Sequence, residues 1–113
     1  MPEKPKNAFY EREETCGDEE YVDAFRRVVM PVLREYEPEM ILVSCGFDSA
    51  EGDPIGKLKL TKAGYTHMTE ELMSLGKPIL LILEGGYNLE VLKWASEAVV
   101  RALAKEVGEE ERK

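Results

Sequence analysis

Two short apolar runs constrain the fold of this chain more than anything else in it: MILVSC at 40–45, ending at Gly46, and PILLIL at 78–83, ending at Glu84, Gly85 and Gly86. Neither run alternates polar with apolar residues, so each reads as a strand covered on both faces. Between them Tyr65, Met68, Leu72 and Leu75 recur at helical spacing over 62–75, and Gly76 supplies the stop. Two buried-type strands joined by a helical crossover make a parallel βαβ unit, right-handed by the chirality of such connections.

Flanking helices complete an order of helix, strand, helix, strand, helix. The first is expected over 18–36, with Asp18 as N-cap and with Tyr21, Phe25, Val28, Val32 and Tyr36 facing inward. Pro31 lacks a backbone donor and should kink or interrupt it. The last starts from the N-cap Asn88 and turns Leu92, Ala95, Val99 and Leu103 inward, with Gly108 near its end. Residues 1–15 are polar, charged and without a period, which reads as a connecting segment, and 109–113 read as a charged tail. Two strands are too few for a sheet this apolar, whose edges and faces need cover, so further strands are expected from outside the chain.

With 113 residues, 43% of them hydrophobic, the chain is one domain or a piece of one and must bury a core. The net charge of -8 argues against direct nucleic-acid binding, because gripping a phosphate backbone needs clustered Lys and Arg. Cys16 and Cys45 are too few and too far apart for a disulfide framework or a zinc knuckle. That usage points to a reducing, intracellular setting, cytoplasmic, or nuclear if the source is eukaryotic. The start has no signal-peptide core, and no apolar run approaches the roughly 18 residues of a membrane span.

Open α/β sheets bind ligands beyond the carboxyl ends of their strands, here the loops GFDSAEGDPIG (46–56) and EGGYN (84–88). Asp48 admits two readings: a turn acid capping local N–H groups, or a carboxylate projecting over the sheet end toward a cation. Tyr87 is either a phenol exposed by the two glycines before it as a hydrogen-bond donor or an aromatic packed between helix and sheet. Glu51 and Asp53 read as solvated loop acids. His67, the only histidine, lies about 200° around its helix from the apolar stripe and should face solvent. Cys45 reads as a small core side chain, with no histidine placed to activate it.

The runs ILVSCGFDSAEGDPIG, LTKAGYTHMTEELM and ILLILEGGYNLEVL closely resemble the C-terminal part of histone deacetylase catalytic domains, especially class II members, and GDEEYVDAFRRVVMPVLREYEPEM resembles the segment before it. The resemblance covers about Cys16 to Leu103, and SxGFD, EGDPxG and LEGGYN in that order are specific. It implies that 16–108 are the C-terminal portion of a partial arginase/deacetylase-like α/β fold, three-layered α/β/α in the complete domain. It also implies zinc held by two aspartates and a histidine, with Asp48 as one ligand. Tyr87 would donate to the scissile carbonyl oxygen, and a tyrosine there is the form associated with efficient deacetylation. Gly85, Gly86 and Ile55 would lie on the substrate side, Ile55 at the tunnel mouth, where an apolar residue fits an acyl-lysine better than a cationic polyamine. In the family a tandem histidine pair serves as general base and acid.

The chain departs from that pattern: it has no HH pair and no DxHxGNG-like ligand motif, and His67 matches a non-catalytic helix position. A catalytic zinc takes three protein ligands, so the chain alone is expected to be inactive and to need a missing N-terminal deacetylase portion as partner. The substrate implied is an acetyl-lysine protein or an acetylated small amine. Two other classes stay open. One is a non-enzymatic module that self-associates or binds a partner through exposed sheet edges. The other is an anion site at the GGYN helix start, which Glu84 opposes by repelling phosphate.

Overall fold

β1 (Ile41–Cys45) and β2 (Ile79–Leu83) pair in parallel, Ile41 opposite Ile79 through Cys45 opposite Leu83, and the crossover between them passes through α3 (Lys62–Met73). The structure is a computed structural model that describes residues 16–111, with side chains through Lys105. The segment at 1–15 and the last two tail residues therefore lie outside the described residues. The expected βαβ unit is present, and its flanking helices are α1 (Asp18–Ala24), α2 (Met30–Tyr36) and α4 (Leu89–Glu111).

Alternate strand residues point to opposite faces. On one face Ile41, Val43 and Ile79 pack with Met30, Leu33 and Leu72, while Cys45 and Leu81 join a second cluster around Phe47, Leu60, Tyr65 and Ala95. Cys45, expected as a core side chain, is half-buried and packs against the edge of this cluster. On the other face Leu42, Leu80 and Ile82 are 64, 48 and 47% exposed. Cover on both faces is realised on one only, because every described helix packs against the same side.

α1 runs through a π-helical turn, Phe25–Val29, into α2, whose second residue is Pro31. The proline removes a donor, and the chain answers with a wider turn just before it rather than a break. A π turn holds an extra residue, which rotates the succeeding helix by roughly 100°. The inward residues are accordingly Met30, fully buried, and Leu33, while Val28, Val32 and Tyr36 of the expected stripe are exposed. Asp18 does not cap its own helix. Gly17 is the N-cap, its N–H donating to Glu20 Oε2 at 2.9 Å, and Asp18 accepts from the backbone N–H of Thr61, the N-cap of α3, at 2.8 Å.

α3 buries Tyr65 and Leu72 as expected, with Met68 and Leu75 packed beside them. Asn88 caps α4, its Oδ1 accepting from Glu90 N at 3.0 Å and Val91 N at 3.4 Å. The buried stripe of α4 is Val91, Ala95, Ala98, Val99 and Ala102, with Leu92 and Leu103 only half-buried.

Candidate functional site at the strand ends

The parallel pairing continues past the carboxyl ends of both strands: Glu84 N donates to Cys45 O at 3.1 Å and Phe47 N to Gly85 O at 2.8 Å. Those two bonds hold the two loops side by side. Phe47 is 2% exposed and meets Tyr65 edge-on at a centroid separation of 5.2 Å. Anchoring Phe47 in the core leaves Asp48, the next residue, at the strand end, where it is half-buried.

Asp48 and Tyr87 both lie against Gly85. A Cβ placed on Gly85 would stand 2.7 Å from Asp48 Oδ2 and 3.5 Å from Tyr87 Oη. One small residue therefore has the carboxylate and the phenol on its flanks. Gly86 adopts φ +138, a backbone state open to glycine, and this lets the chain turn before Tyr87, whose side chain is 56% exposed. The structure brings Asp48, Gly85 and Tyr87 together; Ile55 is 63% exposed on the tip of the first loop.

Asp53 corrects the sequence reading. It is 6% exposed rather than solvated, and it organises the site. Its Oδ1 accepts from Ile55 N at 2.8 Å and Gly56 N at 2.9 Å, and its Oδ2 accepts from Tyr87 N at 2.9 Å. Burial alone would raise this carboxyl, but the bonds from Gly56, Tyr87 and Ile55 outweigh it and hold the group below the usual aspartate range. Gly56 was missed as well: a Cβ there would strike the Asp48 carbonyl oxygen. The signal for both was the DPIG string, since an aspartate before proline commonly accepts the N–H groups two and three residues on. Glu51 is exposed, as expected.

Behind Asp48, Ser49 Oγ and Tyr65 Oη lie 2.7 Å apart. Burial, opposed by that hydrogen bond, pushes the Tyr65 phenol up to about 12, so it stays protonated. His67 is half-buried rather than solvent-facing. Its Nε2 lies 3.1 Å from Glu71 Oε1, the oxygen that Arg26 Nε also reaches at 2.9 Å across from the π turn. Most backbone donors at the start of α4 are already engaged, since Tyr87 N goes to Asp53 and Glu90 N and Val91 N go to Asn88.

Asp48 offers a hard oxygen and Tyr87 a hydroxyl that makes no hydrogen bond among the described residues. Among the described residues no three His, Cys, Asp or Glu side chains converge, and a catalytic zinc takes three protein ligands. The described residues therefore do not by themselves fit a zinc ion.

The crystal structure of the HDA15 HD domain superposes with a TM-score of 0.78 at 43% identity, over 80% of this chain and 26% of that one. Fold and loops together define a part of an α/β domain of the arginase/deacetylase type. A model of the histone deacetylase domain matches residues 3–103, and the chain belongs to that family. Histone deacetylase clr3 of Schizosaccharomyces pombe is 52% identical over 89 residues, 77% of this chain and 13% of that protein. Histone deacetylase 15 of Arabidopsis thaliana is 44% identical over 96 residues, 84% of this chain and 17% of that protein. The chain thus spans a small part of the length of the curated relatives it matches. No helix among the described residues is long and apolar enough to cross a membrane.

Proposed function

We propose that residues 16–108 form the C-terminal portion of a zinc-dependent deacetylase catalytic domain acting on acetyl-lysine in proteins or on acetylated small amines. Asp48 supplies one zinc ligand and Tyr87 donates to the oxygen of the scissile carbonyl as charge develops there. The observation that carries this reading is the convergence of the Asp48 carboxylate and the Tyr87 hydroxyl on Gly85, at the carboxyl ends of both strands. Gly85 and Gly86 border the space the acyl group would occupy, and exposed, apolar Ile55 suits an acyl chain better than a polyamine. The remaining ligands and the general base come from an N-terminal deacetylase portion, so the chain alone is catalytically incomplete. Leu42, Leu80 and Ile82 form a bare apolar sheet face that such a portion would cover. The free thiols Cys16 and Cys45 suit a reducing intracellular compartment.

The ligand assignment is tested by zinc content. The complex of this chain with the N-terminal part of the domain should hold one zinc, and Asp48→Asn should lose most of it while the complex still assembles. A complex that keeps its full zinc with Asp48→Asn removes Asp48 from the ligand set.

The bare sheet face also favours a second reading, a self-associating module without catalysis. Light scattering separates the two. A monodisperse, zinc-free homodimer that ignores the N-terminal portion supports the module, and dissociation in favour of that portion supports the deacetylase.

A further inference from the structure

We infer that Asp53 is a positioning residue for the deacetylation step, acting through the backbone of Tyr87. This rests on the reading of Tyr87 as the donor to the carbonyl oxygen. The Asp53 carboxylate is nearly enclosed, and it divides its oxygens between two loops: Oδ1 closes the turn that carries Ile55, and Oδ2 reaches across to the N–H of Tyr87 at 2.9 Å. A second rung lies beside the first, Asn88 Nδ2 donating to Gly52 O at 3.0 Å. Consecutive residues of one loop, 52 and 53, are thereby tied to consecutive residues of the other, 88 and 87.

The phenol itself has no such support. Among the described residues the Tyr87 hydroxyl makes no hydrogen bond, and the side chain is more than half exposed. Gly86, before it, leaves the backbone free to turn. The Tyr87 backbone fixes the point from which the phenol reaches out, and Asp53 holds that backbone in place. Only a carboxylate suits the position. Asparagine has the same shape but one acceptor oxygen, and its amide nitrogen would face either the Tyr87 N–H or the turn donors, a donor against a donor. The same carboxylate sets the height of Ile55, so the two sides of the acyl entrance are registered by one group.

The test uses the assembled catalytic domain in four forms: wild type, Asp53→Asn, Tyr87→Phe and the double variant. Asp53→Asn should lower kcat by about tenfold or more, because small misplacements of a catalytic group are that costly, with KM little changed. In the Tyr87→Phe background Asp53→Asn should add almost nothing, since both changes disable the same donor. Full multiplication of the two losses, or an Asp53→Asn enzyme with wild-type kcat, overturns the positioning role. A Tyr87→Phe enzyme with undiminished kcat is a separate result: it sinks the proposed function, and the role of Asp53 with it.

Hydrogen exchange covers the case in which Asp53→Asn fails to fold. In the wild-type domain the Tyr87 amide should be strongly protected, and exchange at the rate of an unstructured peptide contradicts the inference without any variant. Asp53→Ser is the second variant. A serine hydroxyl can still serve the local turn but falls short of Tyr87, so Tyr87 protection and kcat should drop together while the domain stays folded. Full protection of Tyr87 in Asp53→Ser overturns the inference.

Discussion

A carboxylate that accepts three backbone N–H groups gains most of its worth from being charged, and Asp53 is held in that state. Its folded pKa lies below the value near 3.9 of an unfolded aspartate, so its stabilisation is fully present above about pH 4 and is lost as pH falls through the folded value. Asp53→Asn should therefore lower the urea midpoint at neutral pH and flatten its decline as the pH falls below about 4; an unchanged acid limb would show that the carboxylate is not bonded in this way. Gly85→Ala should behave differently. The added methyl meets Asp48 Oδ2 at 2.7 Å, so zinc retention and activity of the assembled domain should fall together, and full retention of both would show that the loops part easily. For Tyr87→Phe, stability should stay within about 0.5 kcal/mol, since an exposed hydroxyl is removed, whereas kcat should drop by about a hundredfold if that hydroxyl is the oxyanion donor.

Among the elements, the strands and the crossover helix were legible because their pattern is dense: five strand residues in each run, and a stripe at 65, 68, 72 and 75 that the fold uses as read. The first helix was misread for a definite reason. Its period is interrupted by the π turn before Pro31, and Val28, Val32 and Tyr36 fit an unbroken α-helix that the chain does not form. α4 hid its face differently. Ala95, Ala98 and Ala102 do much of the burying, and small residues do not stand out in a search for large apolar ones. Leu72 joins α3 to Ile41 and Met30 in the smaller cluster, so Leu72→Ala should cost about 3 kcal/mol, the usual range for a buried leucine. A denaturant midpoint reads this directly, and a loss under about 1 kcal/mol would mean the cluster collapses into the gap.

At the scale of the whole molecule the helices cover one side of the sheet and leave Leu42, Leu80 and Ile82 open on the other. Alone, the chain should associate with rising concentration, and Leu80→Lys with Ile82→Lys should shift its scattering mass toward the monomer. A wild-type monomer at every concentration would show that the face needs no partner. The strand ends could be picked out as the site from sequence because parallel sheets bind there, but the roles proposed for Asp48 and Tyr87 rest on family likeness. The carboxylate that links their loops was hidden, because a buried loop acid and a solvated one look alike until the third donor, 34 residues away in sequence, is seen. On the function proposed, this chain supplies part of a deacetylase centre and not the whole. Acetyl-lysine hydrolysis decides it most directly, measured on the chain alone, on the N-terminal portion alone and on the two together, with and without a chelator. Activity is expected only for the pair, abolished by the chelator, by Asp48→Asn and by Tyr87→Phe. Hydrolysis by the pair that survives chelation and both substitutions would contradict it.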